Sequence, residues 1–315
     1  MKSVRTLCMT LIMAFATLAI PGLLAAQNNQ AVPTDVQPLT LKFRTIDIPR
    51  YESTQIYAIN NKNDVAGIYL DSTGLQHGML IQGKTVIPID DPNAEPGTTF
   101  CYGIAEINDS DVVAGYYTNA AGFEVGFVYQ DGTYTDVHVF GSQYVQVNGI
   151  NNSGELTGTY YDSSAGFWYA FYGSGSKFTR FTVPGGGYYV FGWGINDAGL
   201  ITVGYFVDPN NQIYMADLYN SKTGKFTPIN VPDASQTFVH GINNKNQIVY
   251  AWTDTMGNYH AAVLADRKFY TFDDPNGSQS RADGITDNDI IVGTFLPTGD
   301  TQRQSFVASP QPQLK

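Results

Sequence analysis

Cysteine is almost missing from this chain of 315 residues: Cys8 and Cys101 are the only two, and Cys8 lies in a segment read below as removed on export. A single remaining thiol excludes an internal disulfide, so stability has to come from the buried core. No CxxC and no paired Cys/His spacing occurs, which removes the usual structural zinc sites. Cys101, between Phe100 and Tyr102, reads as a small buried apolar side chain rather than a reactive thiol. Basic residues are scarce too, 17 Lys and Arg against 28 Asp and Glu. Phosphate binding needs basic clusters, so nucleic acid is excluded as a partner. There is no GxSxG elbow, HExxH helix, phosphate loop or dinucleotide fingerprint, and no amphipathic helical period interrupts the body of the chain.

Long apolar runs are confined to one place. Leu7 to Leu24 follows Lys2 and Arg5 and ends at Ala25-Ala26, the anatomy of a secretory signal peptide. An uncleaved anchor is the alternative its length allows, but Thr10, Thr17 and Pro21-Gly22 favour cleavage near Gln27. Residues 1–26 carry two basic residues and no acidic one, so the mature chain has 15 basic against 28 acidic residues, a formal charge of −13. The expectation is a secreted protein, extracellular or periplasmic, monomeric and without a transmembrane segment after cleavage. No cysteine stands at the junction for a lipid.

What the chain has in quantity is repetition. Gly194 to Phe206, GINDAGLITVGYF, has relatives on both sides, anchored at Ile59-Asn60, Ile107-Asn108, Ile150-Asn151, Ile195-Asn196, Ile242-Asn243 and Ile285-Thr286. The steps of 48, 43, 45, 47 and 43 residues are those of four-stranded propeller blades. Four residues after each isoleucine stand Asn63, Asp111, Gly154, Gly199, Asn246 and Asp289, the residue types that tolerate a left-handed backbone, so a tight turn is predicted there. The Asn and Asp residues around it read as turn chemistry. Calcium ligation is the alternative, but it would want six to eight oxygens from one compact loop. No cofactor is implied.

Beyond each turn, aliphatic Val65, Val113, Leu156, Ile201, Ile248 and Ile291 are followed at alternate places by Gly67, Gly115, Gly158, Gly204, Tyr250 and Gly293, then by an aromatic residue. That is strand periodicity. The glycines permit a close approach or a bulge; Gly204, one position late, predicts a local bulge in its unit, and Tyr250 predicts different packing in the fifth. Turn-rich segments such as Asp71 to Gly74 then lead to a hairpin partner, and a third run, KFTRFTVP in the third unit, closes each unit.

Residues 42–49, KFRTIDIP, match that closing run with no opening part before them, while the sixth unit runs out after Phe306-Val307-Ala308 with no closing run. A ring explains both defects, because the N-terminal strand can complete the last blade and cover two sheet edges; an open array would want capping units instead. The fold expected is all-β, a six-bladed β-propeller of four-stranded repeats over residues 39–308, closed by residues 42–48 pairing with the strand that ends near Ala308. Residues 27–38 read as a polar leader and 309–315 as a polar tail.

These columns resemble the HAF family of bacterial extracellular repeats, with a Gly-Ile-Asn turn, a Val-Gly-x-Tyr strand, a His-Gly/Ala-Phe strand and an Ile-Asp-Pro close. The third element here reads His77-Gly78-Met79, Val125-Gly126-Phe127, Tyr169-Ala170-Phe171, Met215-Ala216-Asp217, His260-Ala261-Ala262 and Gln304-Ser305-Phe306. The resemblance covers nearly all of the mature chain and implies an exported repeat protein. It brings no catalytic residues, and with histidine in only two units it implies no histidine site repeated around the ring.

Where copies of a repeat agree, the fold dictates the residue; where they disagree while facing a shared opening, a ligand can. The most divergent column precedes the anchor and holds Tyr57, Asn148, Trp193, His240 and Asp283, with Arg281 nearby. On an innermost strand these residues would surround the central channel, a candidate ligand site, against packing drift as the plain alternative. His77 and His260 read as structural hydrogen-bond donors, and the pairs Asp90-Asp91 and Asp273-Asp274 as turn caps rather than acid-base pairs. The function expected is a non-enzymatic binding or interaction module for a glycan or protein ligand. The alternative, on analogy of fold alone, is a hydrolase or lyase acting on a polysaccharide or lactone.

Overall fold

The computed structural model describes residues 36–46, 48, 51–100, 105–208 and 213–311. The proposed signal peptide and Cys101 lie outside them. Six sheets follow one another along the chain, each beginning with its innermost strand and ending with its outermost: the innermost are Ser53–Ile59, Ala105–Ile107, Val145–Ile150, Val190–Ile195, Gln236–Ile242 and Gly277–Ile285. This is the six-bladed propeller, and the blades are numbered 1 to 6 in that order.

Blade 6 draws its outermost strand from the other end of the chain. Leu41–Ile46 pairs antiparallel with Gln304–Pro310, Phe43 opposite Ala308. Among the described residues the ladder covers Leu41 to Ile46 and does not include residue 48, and Gln304–Pro310 reaches two residues past the expected boundary at 308. One strand was not expected at all. Val36–Pro38, the end of the supposed polar leader, lies parallel to Phe269–Thr271 as a fifth strand on the edge of blade 5. Alternation in Val-Gln-Pro is too short to separate from a loop, and only the neighbouring edge makes it a strand.

Burial follows the blade seams. Six apolar clusters lie between successive blades; that between blades 6 and 1, for example, joins Val292 to Ile56, Ile59, Val65 and Met79. Aromatic residues fill these seams, as expected of large side chains on strands: Phe181 of blade 3 stacks on Tyr219 of blade 4 with centroids 4.4 Å apart. Tyr250, the residue that broke the glycine column, is fully buried between blades 4 and 5, edge-on to Phe269.

All six turn residues take the predicted left-handed backbone, from Asp111 at φ 60° to Gly199 at φ 77°. The asparagine that opens the turn does two jobs at once. Its Oδ1 accepts from the backbone N–H groups two and four residues on, at 2.9–3.1 Å, in each of the first five blades. Its Nδ2 donates to the corresponding carbonyl of the next blade, Asn60 to Asn108, then to Asn151, Asn196, Asn243 and Thr286, at 2.9–3.2 Å. Thr286 keeps the two caps through Oγ1 but has no amide to pass on.

The residue after each of these supplies a second belt. Asn61, Asp109, Asn152, Asp197, Asn244 and Asp287 alternate amide and acid around the axis, and each backbone N–H donates to the next side chain's Oδ1 at 2.7–2.9 Å, the last returning from Asp287 to Asn61. Turn chemistry thus accounts for the repeated Asn and Asp pairs, and the same side chains latch blade to blade.

Candidate ligand-binding site

Every innermost strand with a fully described ladder carries a bulge just before its Ile-Asn turn. The register shifts between Ile56 and Ala58, Val147 and Gly149, Gly192 and Ile195, Val239 and Ile242, and Ala282 and Gly284. The divergent column is this bulge: Tyr57, Asn148, Trp193, His240 and Asp283 are residues left out of the ladder. A bulge re-aims its side chain, here into the channel. The glycine column makes it possible, since a Cβ on Gly67, Gly158 or Gly293 would lie 2.0 Å from a carbonyl of the bulged strand, Gln55, Gln146 or Arg281. Blade 4 corrects one expectation. Its inner bulge is the common one, Val203 occupies the glycine position, and the extra residue of its second strand is Val207 rather than one at Gly204. The space over Gly204 is taken by the Tyr214 hydroxyl.

The channel is narrow at the Ile-Asn end, where a space of about 60 Å³ is lined by the asparagine belts. Next to it opens a cavity of about 290 Å³, and Glu106 and Gly241 line both. All six residues singled out from the sequence, Tyr57, Asn148, Trp193, His240, Arg281 and Asp283, line the larger cavity. The structure adds Glu106, Arg303 and the aromatic Tyr214, Phe238 and Tyr259.

One wall is aromatic. Trp193 stacks with Phe191 and with His240, centroids 5.7 and 5.6 Å away, and donates from Nε1 to the Tyr214 hydroxyl at 2.9 Å. Tyr214 stacks on Phe238, which packs against Tyr259. The other wall is charged. The Arg281 guanidinium lies over the Tyr259 ring, 4.4 Å from its centroid, and Arg303 donates to the Gln279 and Thr294 carbonyls and to Thr294 Oγ1 at 2.6–3.1 Å. His240 Nδ1 approaches Asp283 Oδ1 to 3.4 Å. Burial, helped by the charge of Arg281, lowers the His240 pKa to about 3, so the imidazole is neutral at pH 7 and the approach is not an ion pair. Burial pushes Asp283 up to about 7 against the opposing pull of Arg281 and Arg303, and pushes Glu106 up to about 8. Arg303 falls to about 10 through burial and the repulsion of Arg281.

Three buried polar atoms of this lining, Asn148 Oδ1, Arg281 Nε and Asp283 Oδ2, have no hydrogen-bond partner among the described residues. Buried polar atoms are normally satisfied, and these three lie around one cavity large enough to hold a partner for them. Among the described residues no group of three His, Cys, Asp or Glu is arranged to hold a metal ion.

The paired motifs outside the channel are structural. His77 Nδ1 meets Asp90 Oδ2 at 2.8 Å and Nε2 meets Asp71 Oδ2 at 3.4 Å; His260 repeats this with Asp273 and Asp254 at 2.8 and 3.6 Å. The second acid of each pair, Asp91 or Asp274, caps its turn by accepting from the Asn93 or Asn276 N–H. Burial opposes the His77 cation, but Asp90 and then Asp71 outweigh it and raise its pKa. A histidine raised on folding stabilises fully below its unfolded pKa of about 6.5, and that contribution is lost as pH climbs through the folded value. His77→Gln should therefore cost more at about pH 5.5 than at about pH 8.5, by roughly 1 kcal/mol or less. Melting curves at the two pH values check this, and an equal cost at both would remove the charge from the account.

No protein-family model and no curated protein matches the chain. Solved structures do match by shape. A putative TolB from Agrobacterium tumefaciens aligns at 11% identity over 81% of this chain and 89% of its own, TM-score 0.54. The Aleuria aurantia lectin, a six-bladed propeller described with a fucose recognition mode, aligns at 13% identity over 81% and 92%, TM-score 0.50. An acylaminoacyl peptidase aligns at 8% over 82% of this chain but 44% of its own, TM-score 0.51. Likeness at these identities establishes a shared propeller fold and nothing finer.

Proposed function

We propose that the protein is an exported HAF-type repeat protein that acts as a binding module without a covalent step, holding part of a glycan in the cavity of its central channel. The observation that carries this reading is an aromatic wall, Trp193, Tyr214, Phe238 and Tyr259, facing polar atoms that lack partners, Asn148 Oδ1, Arg281 Nε and Asp283 Oδ2. A sugar ring has apolar faces for the one and hydroxyls for the other. A cavity of about 290 Å³ is near the lower end of small-molecule sites, which favours a saccharide over a folded protein as the occupant. The fucose-recognising lectin supports this as an analogy of fold only.

A glycan array tests it. Trp193→Ala with His240→Ala should lower binding at least tenfold, the scale of one or two lost stacking contacts, about 1.4 kcal/mol or more. Trp193→Phe, which keeps a ring in the stack, should retain most of it. Trp193 is only half-buried, so the double variant should lose less stability than the roughly 3–5 kcal/mol of a fully buried tryptophan. Unchanged binding in the double variant would sink the cavity as the site. The second reading, a polysaccharide hydrolase or lyase, is favoured by two buried carboxyl groups with raised pKa values in one cavity, Glu106 and Asp283. Appearance of shortened or unsaturated products from bound glycans on prolonged incubation would move the function to that class.

A further inference from the structure

Charge in the cavity does not balance. Arg281 and Arg303 both line it, and among the described residues neither guanidinium forms an ion pair with a carboxylate. Arg303 spends its N–H groups on neutral oxygens, the Gln279 and Thr294 carbonyls and the Thr294 hydroxyl. Arg281 rests its plane on Tyr259 while its Nε, buried, has no acceptor. The acids nearby offset this only in part: Asp283 interacts through space with both arginines but pairs with neither, approaching neutral His240 instead, and Glu106 accepts from the Ile107 N–H. Two cations neutralised only in part in a half-enclosed space of an acidic chain are costly unless something else completes them.

Resting on the glycan reading above, we propose that the cavity selects an acidic sugar, a uronate whose carboxylate pairs with Arg281 and whose ring lies against Trp193 and Tyr214. Guanidinium and carboxylate match as a planar fork with two parallel hydrogen bonds, and the unpartnered Nε offers one edge of that fork. The aromatic wall decides for a ring-borne carboxylate over a bare inorganic anion, because phosphate or sulfate would leave that wall facing water. The environment of the two acids acts in the same direction. The titratable groups facing the cavity are Tyr57, Glu106, Tyr214, His240, Tyr259, Arg281, Asp283 and Arg303. With Glu106 and Asp283 raised to about 8 and 7, and the Tyr57 and Tyr214 hydroxyls raised as well, burial weakens the negative charge set against the two arginines near neutral pH.

The test is binding of the full mature protein to glucuronate- and galacturonate-terminated oligosaccharides, beside the same chains ending in glucose and galactose and beside free sulfate. The uronate forms should bind at least about tenfold more tightly than their neutral counterparts, the usual scale of a charge-assisted contact, with sulfate no competitor. Arg281→Gln should bring the ratio close to one while melting at or above the wild-type temperature, since it relieves a repulsion; Arg281→Lys, a point charge without the fork, should fall between. Arg180→Gln, at an exposed ion pair with Asp162, should change nothing. Equal or tighter binding of the neutral chains that still depends on Trp193 overturns the uronate assignment and leaves the glycan reading intact. Competition by sulfate at equal strength overturns the ring-borne carboxylate. Binding of no saccharide overturns both readings.

Discussion

Removing residues 27–46 is expected to lower the melting temperature by roughly 10 °C or more, whereas removing 27–35 should leave it within about 2 °C. The first deletion strips the outermost strand of blade 6, Leu41–Ile46, and with it the only main-chain ladder among the described residues that joins the start of the chain to its end. Phe43 goes too, leaving Phe306 and Phe272, with centroids 5.5 and 6.2 Å away, without their cover. Losing an aromatic ring and a six-residue ladder costs several kcal/mol even when the ring is only half-buried, and each kcal/mol moves a domain of this size by about 2–4 °C. Gln304–Pro310 would also become an open edge, a template for association with other chains. An intermediate deletion, 27–40, removes the parallel strand Val36–Pro38 with Leu39, which packs on the core between blades 5 and 6, and the Thr40 carbonyl that accepts from the Gln311 N–H, and should cost a few degrees. Thermal melts of the three truncations separate these contributions. Similar melting of the shortest and longest deletions would mean that the ring holds without its N-terminal strand.

The architecture was legible because a propeller repeats its constraints. Left-handed turn, glycine and aliphatic positions recur in each blade, so six weak local signals become one strong one, and a strand lacking its unit at one end points to the vacancy at the other. Val36–Pro38 was not legible, because it follows no repeated column and owes its conformation to the edge of blade 5. The channel column could be found for the opposite reason. A bulged side chain has no ladder partner to satisfy, so the fold leaves its identity free, and Tyr57, Asn148, Trp193, His240 and Asp283 share a position without sharing chemistry. At Ala105-Glu106 the second unit departs from the repeat and blurs the alignment, so the column yields no site residue there; blade 2 shows no bulge between Ala105 and Ile107, and Glu106 falls out of step with the others. A signal did exist. The residue immediately before the anchor isoleucine is Ala58, Gly149, Gly194, Gly241 or Gly284 in the other five blades, small because the next blade's inner strand crowds it; a Cβ on Gly149 would sit 2.3 Å from the Trp193 carbonyl oxygen. A glutamate in that column breaks a steric rule and so asks for a reason. Arg303, Tyr214, Phe238 and Tyr259 carry no such mark, and only the closing of the ring brings them to the cavity.

Asn151→Ala is expected to cost about 3 kcal/mol, or about 5–10 °C, although Asn151 touches no apolar core and lines only the narrow end of the channel. Its side chain is buried, with 3% of its surface exposed. Alanine would leave the Ser153 and Glu155 N–H groups without their cap and the Asn196 carbonyl without its donor. The Asn196 carbonyl is buried and the two N–H groups are partly buried, and each forfeits about 1 kcal/mol. Blade 6 shows how the two functions divide, because Thr286 caps the N–H groups of Asn288 and Ile290 but reaches no carbonyl in blade 1. Asn151→Thr should therefore keep the turn and lose only the latch, costing about 1 kcal/mol, and the two variants should melt in the order threonine above alanine. The seam from blade 6 to blade 1 manages without the latch through other contacts, with Ser305 Oγ accepting from the Ile56 N–H at 2.7 Å and the Asp287 N–H donating to Asn61 Oδ1. The seam between blades 3 and 4 likewise has other contacts, Asn148 Nδ2 and Thr159 Oγ1 donating to the Gly192 and Val190 carbonyls at 2.9 Å beside the belt contact of Asn152 with Asp197, so the lost latch alone should not open it. If alanine and threonine melt together, capping and latching are not separable functions of this asparagine; if neither lowers the melting temperature, the asparagine belt does not hold the blades together.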